Sequence, residues 1–163
     1  MAQVRQFTPA QLRGNLHFLL DFEWAGRTVH LAQQRLTAAI GPGDADVAYY
    51  PGLEWSRSQR RSFSLGSPMM GASIDVTLYL ADHVDVPTLV NEGHPLGSAR
   101  GRLLLWPEDS SDYMVVLDGV LRNEAWSSRE MPITGTLEEE PFTDTGLIPG
   151  VNERVIAPAG GAT

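Results

Sequence analysis

Acid–base or metal chemistry in this chain would have to come from four histidines, His17, His30, His83 and His94, and from two acidic groupings. In ADHVD, the residues Asp82, His83 and Asp85 set three oxygen or nitrogen ligands close together at a strand end, enough to begin a divalent site. The competing reading of that stretch is a solvated turn, which needs no ion. Glu138, Glu139 and Glu140 form the densest acidic run. Paired carboxylates across a cleft hydrolyse glycosides, but adjacent strand residues point to opposite sides, which favours a solvated face. No two histidines have the helical spacing of a zinc site. Cysteine is absent, which excludes disulfides, thiolate ligands and a cysteine nucleophile. Neither GSPMMG nor LGSARG matches the Gly-x-Ser-x-Gly elbow of serine hydrolases. Trp24, Trp55, Trp106 and Trp126 could form a sugar platform, but Trp24 and Trp106 fall in alternating strands and read better as core or interface anchors. No catalytic residue, cofactor or metal is expected.

Residues 85–106, DVPTLVNEGHPLGSARGRLLLW, look most like a binding loop, with Gly93, Gly97 and Gly101 at regular spacing and His94 beside the first. A phosphate loop needs a strand before it, a helix after it and normally a lysine. Here the expected order is reversed. Asp85 caps a short helix that starts at Val86 or Pro87, Gly93 ends it at the C′ position, Gly97 permits a turn, and a strand begins at Arg100. The chain contains no lysine at all. The glycines are therefore punctuation rather than a phosphate cradle.

The elements that would carry these side chains are mostly strands. ASIDVTLYLA, residues 72–81, alternates Ile74, Val76, Leu78 and Leu80 with Asp75, Thr77 and Tyr79, the pattern of a strand with one wet face. LHFLLDFEWAGRTVHLA reads as two strands joined by a tight turn at Ala25-Gly26, with Phe18, Leu20, Phe22 and Trp24 on one face. Further strands are expected in 100–106, 112–126 and 131–139, with PEDSSD as a hairpin loop and Gly119 marking a bulge or bend. Tyr49-Tyr50 leads into a turn at Pro51-Gly52. TPAQLRG offers Thr8 as N-cap and Pro9 at the first position of a short helix. With seven or eight short strands and no βαβ alternation, the expected fold is all-β, a small β-barrel or closed sandwich with one or two short helices. Residues 1–16 form an N-terminal segment, 17–145 the barrel or sandwich, and 146–163 an extended arm or a frayed tail.

Composition narrows the partners. The net charge of -8 argues against nucleic acid, whose phosphates need a concentrated positive face. No apolar run approaches the length of a membrane span, and the N-terminus MAQVRQFTPAQLRGN carries no signal-peptide core. All twelve basic residues are arginine, the cation favoured at protein interfaces, although a GC-rich genome would give the same bias. The one basic cluster, Arg57, Arg60 and Arg61, reads as a loop that is either solvated or a subunit contact. Leu147, Ile148, Val151, Val155 and Ile156 favour an arm that lies on a neighbouring subunit.

Several phrases occur together in order: DFEWAGRTVHLAQQRL, YYPGLE, SIDVTLYL, VPTLVNEGHPLGSARGRLLLW, YMVVLDGVLRN and TLEEEPF. Over about residues 17–142 the chain resembles the β-rich domain of phage tail-tip and baseplate-hub proteins, including those of gene-transfer-agent tails. The resemblance implies a structural, non-enzymatic component of the virion tail, assembled in the host cytoplasm. Its partners would be further copies in a ring oligomer and the neighbouring tail tube, tip or fibre proteins, with no membrane insertion. The chain has room for one barrel where larger hubs have a duplicated pair, so a shorter adaptor or distal ring protein fits as well. Two rival readings stand beside it: a small hydrolase using a carboxylate cluster, and a monomeric ligand-binding β-barrel.

Overall fold

A computed structural model describes residues 2–3, 6–62, 71–126 and 132–139. The described strands are β1 (Ala2–Gln3), β2 (Leu16–Trp24), β3 (Arg27–Ala32), β4 (Leu36–Ala38), β5 (Val47–Pro51), β6 (Leu53–Ser62), β7 (Gly71–Leu78), β8 (Arg100–Pro107), β9 (Asp112–Ala125) and β10 (Ile133–Glu139). The two helices, α1 (Pro9–Arg13) and α2 (Val86–Asn91), are short. The expected β-rich class is therefore right. One sheet runs in the order β4-β5-β3-β2-β8-β9-β10-β7-β6, with β1 added beside β9. Pairing is antiparallel except at β1–β9 and β3–β5.

Of the two expected forms, barrel or closed sandwich, the barrel is corrected: among the described residues the end strands β4 and β6 do not pair, so the sheet does not close into one. Gly52, between β5 and β6 in the chain, links the end of β3 to the residue that follows β7. The Gly52 N–H donates to the Ala32 carbonyl at 3.0 Å, and the Gly52 carbonyl accepts from Tyr79 N–H at 2.9 Å. A Cβ at this position would stand 2.9 Å from both the Tyr79 carbonyl oxygen and Leu31 Cδ2, so only glycine fits between Leu31 and Tyr79. The arginine cluster is corrected as well. Arg57, Arg60 and Arg61 belong to β6, not to a loop, with Arg60 opposite Ser73 and Arg61 opposite Ala72. Serine, arginine and glutamine fill residues 56–62 without any apolar alternation, so that stretch carried no strand signal. The expected arm, with Leu147, Ile148, Val151, Val155 and Ile156, lies outside the described residues, as does Glu140.

Local chemistry explains the elements that the sequence announced. At the β2–β3 turn Ala25 and Gly26 both have positive φ, 52° and 72°, the twist that matches two flanking strands. Thr8 and Gln11 form a reciprocal capping box on α1. Asp85 caps α2 through Thr88 N–H. At the other end Gly93 N–H reaches the Val90 carbonyl and His94 N–H the Leu89 carbonyl, the double bond of a Schellman ending, with Gly93 at φ 95°. The helix–turn–strand order of residues 85–106 is thus present. Asp85→Ala is expected to cost about 1 kcal/mol, the usual loss for an N-cap, measured as a lower midpoint in urea unfolding at unchanged slope.

Two apolar clusters sit on opposite faces of the central strands. The larger gathers Leu20, Phe22 and Trp24 with Ile74, Val76 and Leu78, Leu103, Leu117 and Leu121, Ile133 and Leu137, and is lidded by Val86 and Leu89 of α2. The smaller gathers Leu19, Ala32, Ala38, Ile40, Tyr49, Leu104, Trp106 and Tyr113. Trp24 and Trp106 are both core, as their alternation implied. Strand β9 serves both clusters because its register against β8 slips between Leu103 and Leu104. One extra residue reverses the side-chain parity. Tyr113 and Val115 therefore reach the small cluster while Leu117 and Leu121 reach the large one. A second slip opposes Thr134–Thr136 to a β9 segment that contains Asn123, at φ 52°. Gly119, expected to mark a bulge or bend, makes no bulge and lies in regular register with Gly101 and Glu139. Its role is close approach: a Cβ there would collide with the Glu138 carbonyl.

Candidate functional site

The outer face of the central strands carries the polar residues. Along β2 the positions that alternate with the large cluster are His17, Leu19, Asp21 and Glu23, and β8 opposes them with Trp106, Leu104, Arg102 and Arg100. His30 of β3 stands opposite Asp21 on the other side. Asp21 is the centre of this face. Its Oδ1 accepts from His30 Nδ1 at 2.8 Å and from the Tyr49 hydroxyl at 2.7 Å, and its Oδ2 accepts from Arg102 Nη2 at 3.1 Å. A carboxylate can only accept, so His30 carries its hydrogen on Nδ1. The His30 and Tyr49 rings also meet edge to face, with centroids 5.1 Å apart.

The electrostatics follow from that geometry. Burial pushes the Asp21 carboxyl up, but the hydrogen bonds from His30, Tyr49 and Arg102 together outweigh it and hold the group below the usual aspartate range. Burial and the neighbouring Asp21 charge both drive the Tyr49 phenol up, so Tyr49 stays a donor even in alkali. Burial disfavours the Arg102 charge, and the bond to Asp21 more than restores it. Four strands, β2, β3, β5 and β8, are joined at one carboxylate.

Beside this network lies an open cleft of about 300 Å³ lined by Asp21, Glu23, Thr28, Arg100, Arg102 and Asp118. Its charges alternate in sign. Arg102 pairs with Asp21, and Arg100 Nη2 lies 3.7 Å from Asp118 Oδ1. At the far end of the same face Glu108 accepts from Asn15 at 2.9 Å and pairs with His17 at 3.2 Å, while Gln11 donates to Asp112 at 2.8 Å. These contacts pin α1 to the β8–β9 turn. The Asn15 and His17 bonds hold the exposed Glu108 carboxyl below its ordinary value.

The groupings raised from the sequence do not converge. Asp85 is spent on the α2 cap, whereas Asp82 and His83 lie in the turn before it. Among the described residues no three histidine or carboxylate groups are placed to hold a metal ion. Glu138 and Glu139 lie in β10, opposite Val120 and Gly119. His17 and His30 are in strands, as expected, but the partnership of His30 with Asp21 had no local signal. Asp21, Tyr49 and Arg102 were not singled out either. Their separations in the chain, 28 and 81 residues from Asp21, leave no motif to read. Searches against family models and curated proteins return no match for this chain.

Proposed function

We propose that this chain is a structural, non-enzymatic component of a phage tail, a hub, distal ring or adaptor that assembles with copies of itself and with neighbouring tail proteins. The observation that carries the reading is the use made of Asp21. Among the described residues Asp21 and Glu108 each meet a histidine, and Asp21 is the less exposed of the two. Its oxygens are occupied by three donors from three other strands, so it serves the sheet rather than a substrate. A general base needs a free acceptor within reach of the proton it takes. The alternating charges of the cleft beside it support the same role, because rows of opposite charge orient a complementary protein surface. The β-rich, sandwich-like sheet and the arginine-only cations support it further.

Gold-labelled antibody against this chain, applied to tail particles from the source, is expected to decorate one end of the tail. Light scattering of the purified protein across a concentration series is expected to show growth into a closed oligomer. Tails free of label, together with a monomer that turns over glycoside or ester substrates, would reject the proposal in favour of a hydrolase. A monomer that instead retains a small molecule through purification would make it a ligand-binding domain.

A further inference from the structure

A second recess, independent of the tail reading, lies where β3 and the end of β5 face the turn before α2. It holds about 350 Å³ and is lined by Arg27, Thr28, His30, Tyr50, Asp82 and His83, with Val29 and Val84 completing the wall. We propose that this recess binds a carboxylate, presented by a small organic acid or by an acidic side chain of a second copy of the chain.

Three observations carry the assignment. First, the protein has a net charge of -8, yet this recess gathers one guanidinium, two imidazoles and a single carboxylate. Arg35 adds a further cation just outside, its Cζ 5.6 Å from the centre of the Tyr50 ring. Second, among the described residues no side-chain hydrogen bond or ion pair engages the Arg27 guanidinium, whereas those of Arg100 and Arg102 are both paired. An unpaired guanidinium fork matches a planar carboxylate. Third, His30 is held by its Nδ1 on Asp21, which leaves Nε2 as the polar atom of the ring turned away from the network. A carboxylate arriving there meets an acceptor unless the ring takes up a proton.

The class of ligand follows from the charges. At neutral pH Arg27 and Asp82 cancel, and each protonated imidazole adds one positive charge. With one imidazole protonated the recess carries one net positive charge, which a monoanion neutralises and a phosphate dianion exceeds. Binding therefore takes up a proton and tightens as the solution is acidified. The groups that face the two imidazoles are Asp21 of β2, Tyr49 and Tyr50 of β5, Arg27 of β3, and Asp82 in the turn. Arg102 of β8 reaches the same Asp21, and the His83 ring lies 5.5 Å from that of Tyr50.

The test is an amide NMR titration of the full chain with sodium acetate at constant ionic strength, run at about pH 5.5 and about pH 8, on either side of the imidazole range. Saturable shifts are expected at residues 27–30 and 82–84, with millimolar affinity at the lower pH and weaker binding at the higher. Arg27→Ala should weaken binding about tenfold and Asp82→Asn should tighten it about threefold, opposite signs that a change in folding would not produce. A dilution series without acetate separates the sources. Shifts of the same residues on concentrating the protein identify a second copy, and their absence identifies a free acid. Equal shifts with chloride, tighter binding of inorganic phosphate than of acetate, or unchanged affinity in the Arg27→Ala protein would each overturn the assignment.

Discussion

Gly119→Ala is expected to be the most damaging single-methyl change in the sheet. Gly119 lies in β9 between Gly101 of β8 and Glu139 of β10, and its missing side chain is what lets β10 approach. A Cβ would collide with the Glu138 carbonyl, and the next nearest obstacle, the Glu139 nitrogen at 2.8 Å, is also backbone. A flexible side chain could swing away at little cost, but a ladder strand can move only by giving up hydrogen bonds. The expected loss is about 3 kcal/mol or more, at the upper end for overpacking. For a domain of this size that corresponds to a melting temperature lower by about 10 °C. Gly14→Ala is the matched control: the nearest atom to its new methyl is 3.5 Å away, and φ is -79°. It should change stability by less than about 0.5 kcal/mol. Equal melting temperatures for the two variants by circular dichroism would mean that β9 and β10 are not packed this closely.

The same glycine shows where the sequence was legible and where it was not. A glycine inside a strand pattern signals something unusual, and a bulge was the natural expectation. The slips fall elsewhere, between Leu103 and Leu104 and opposite Thr134–Thr136. Nothing local separates a glycine needed for its dihedral angles from one needed for empty space, because the obstacle comes from another strand. Features whose partners lie within a few residues were readable. The capping box at Thr8, the turn at Ala25-Gly26 and the Gly93 ending of α2 all depend on near neighbours in the chain.

Strand β7 was readable because one of its faces is wet, so its apolar and polar residues alternate cleanly. Strands β2 and β8 bury part of both faces. Leu19 and Leu104 therefore blur the alternation, and the small cluster around Tyr49 and Trp106 went unseen. The polar centre was the least legible of all. Asp21 sits in LLDFEW as an ordinary outward aspartate, and only the tertiary fold brings Tyr49 and Arg102 to it.

Asp21→Asn is expected to cost about 2 kcal/mol, since it leaves part-buried donors facing an amide that can accept at only one end. Whichever way the amide turns, its NH₂ opposes either Arg102 or the His30–Tyr49 pair. Arg102 is part-exposed and can recover water, so the amide turns its NH₂ to Arg102 and keeps its oxygen on the His30–Tyr49 pair. Tyr49→Phe removes one of those donors and leaves the carboxylate two others, for an expected loss of about 1 kcal/mol.

The pH dependence distinguishes this charge effect from simple repacking. The folded Asp21 titrates below its unfolded value. Its contribution is therefore complete above the unfolded aspartate pKa of about 3.9 and is lost as pH falls through the lower, folded one. Urea unfolding of the wild type and the Asp21→Asn variant between neutrality and about pH 2.5 should show a constant gap down to about pH 4, then a gap that narrows as the wild type loses the Asp21 contribution that the variant lacks. A gap that stays constant into acid would assign the loss to the shape of the amide. The carboxylate would then not be what holds the four strands together.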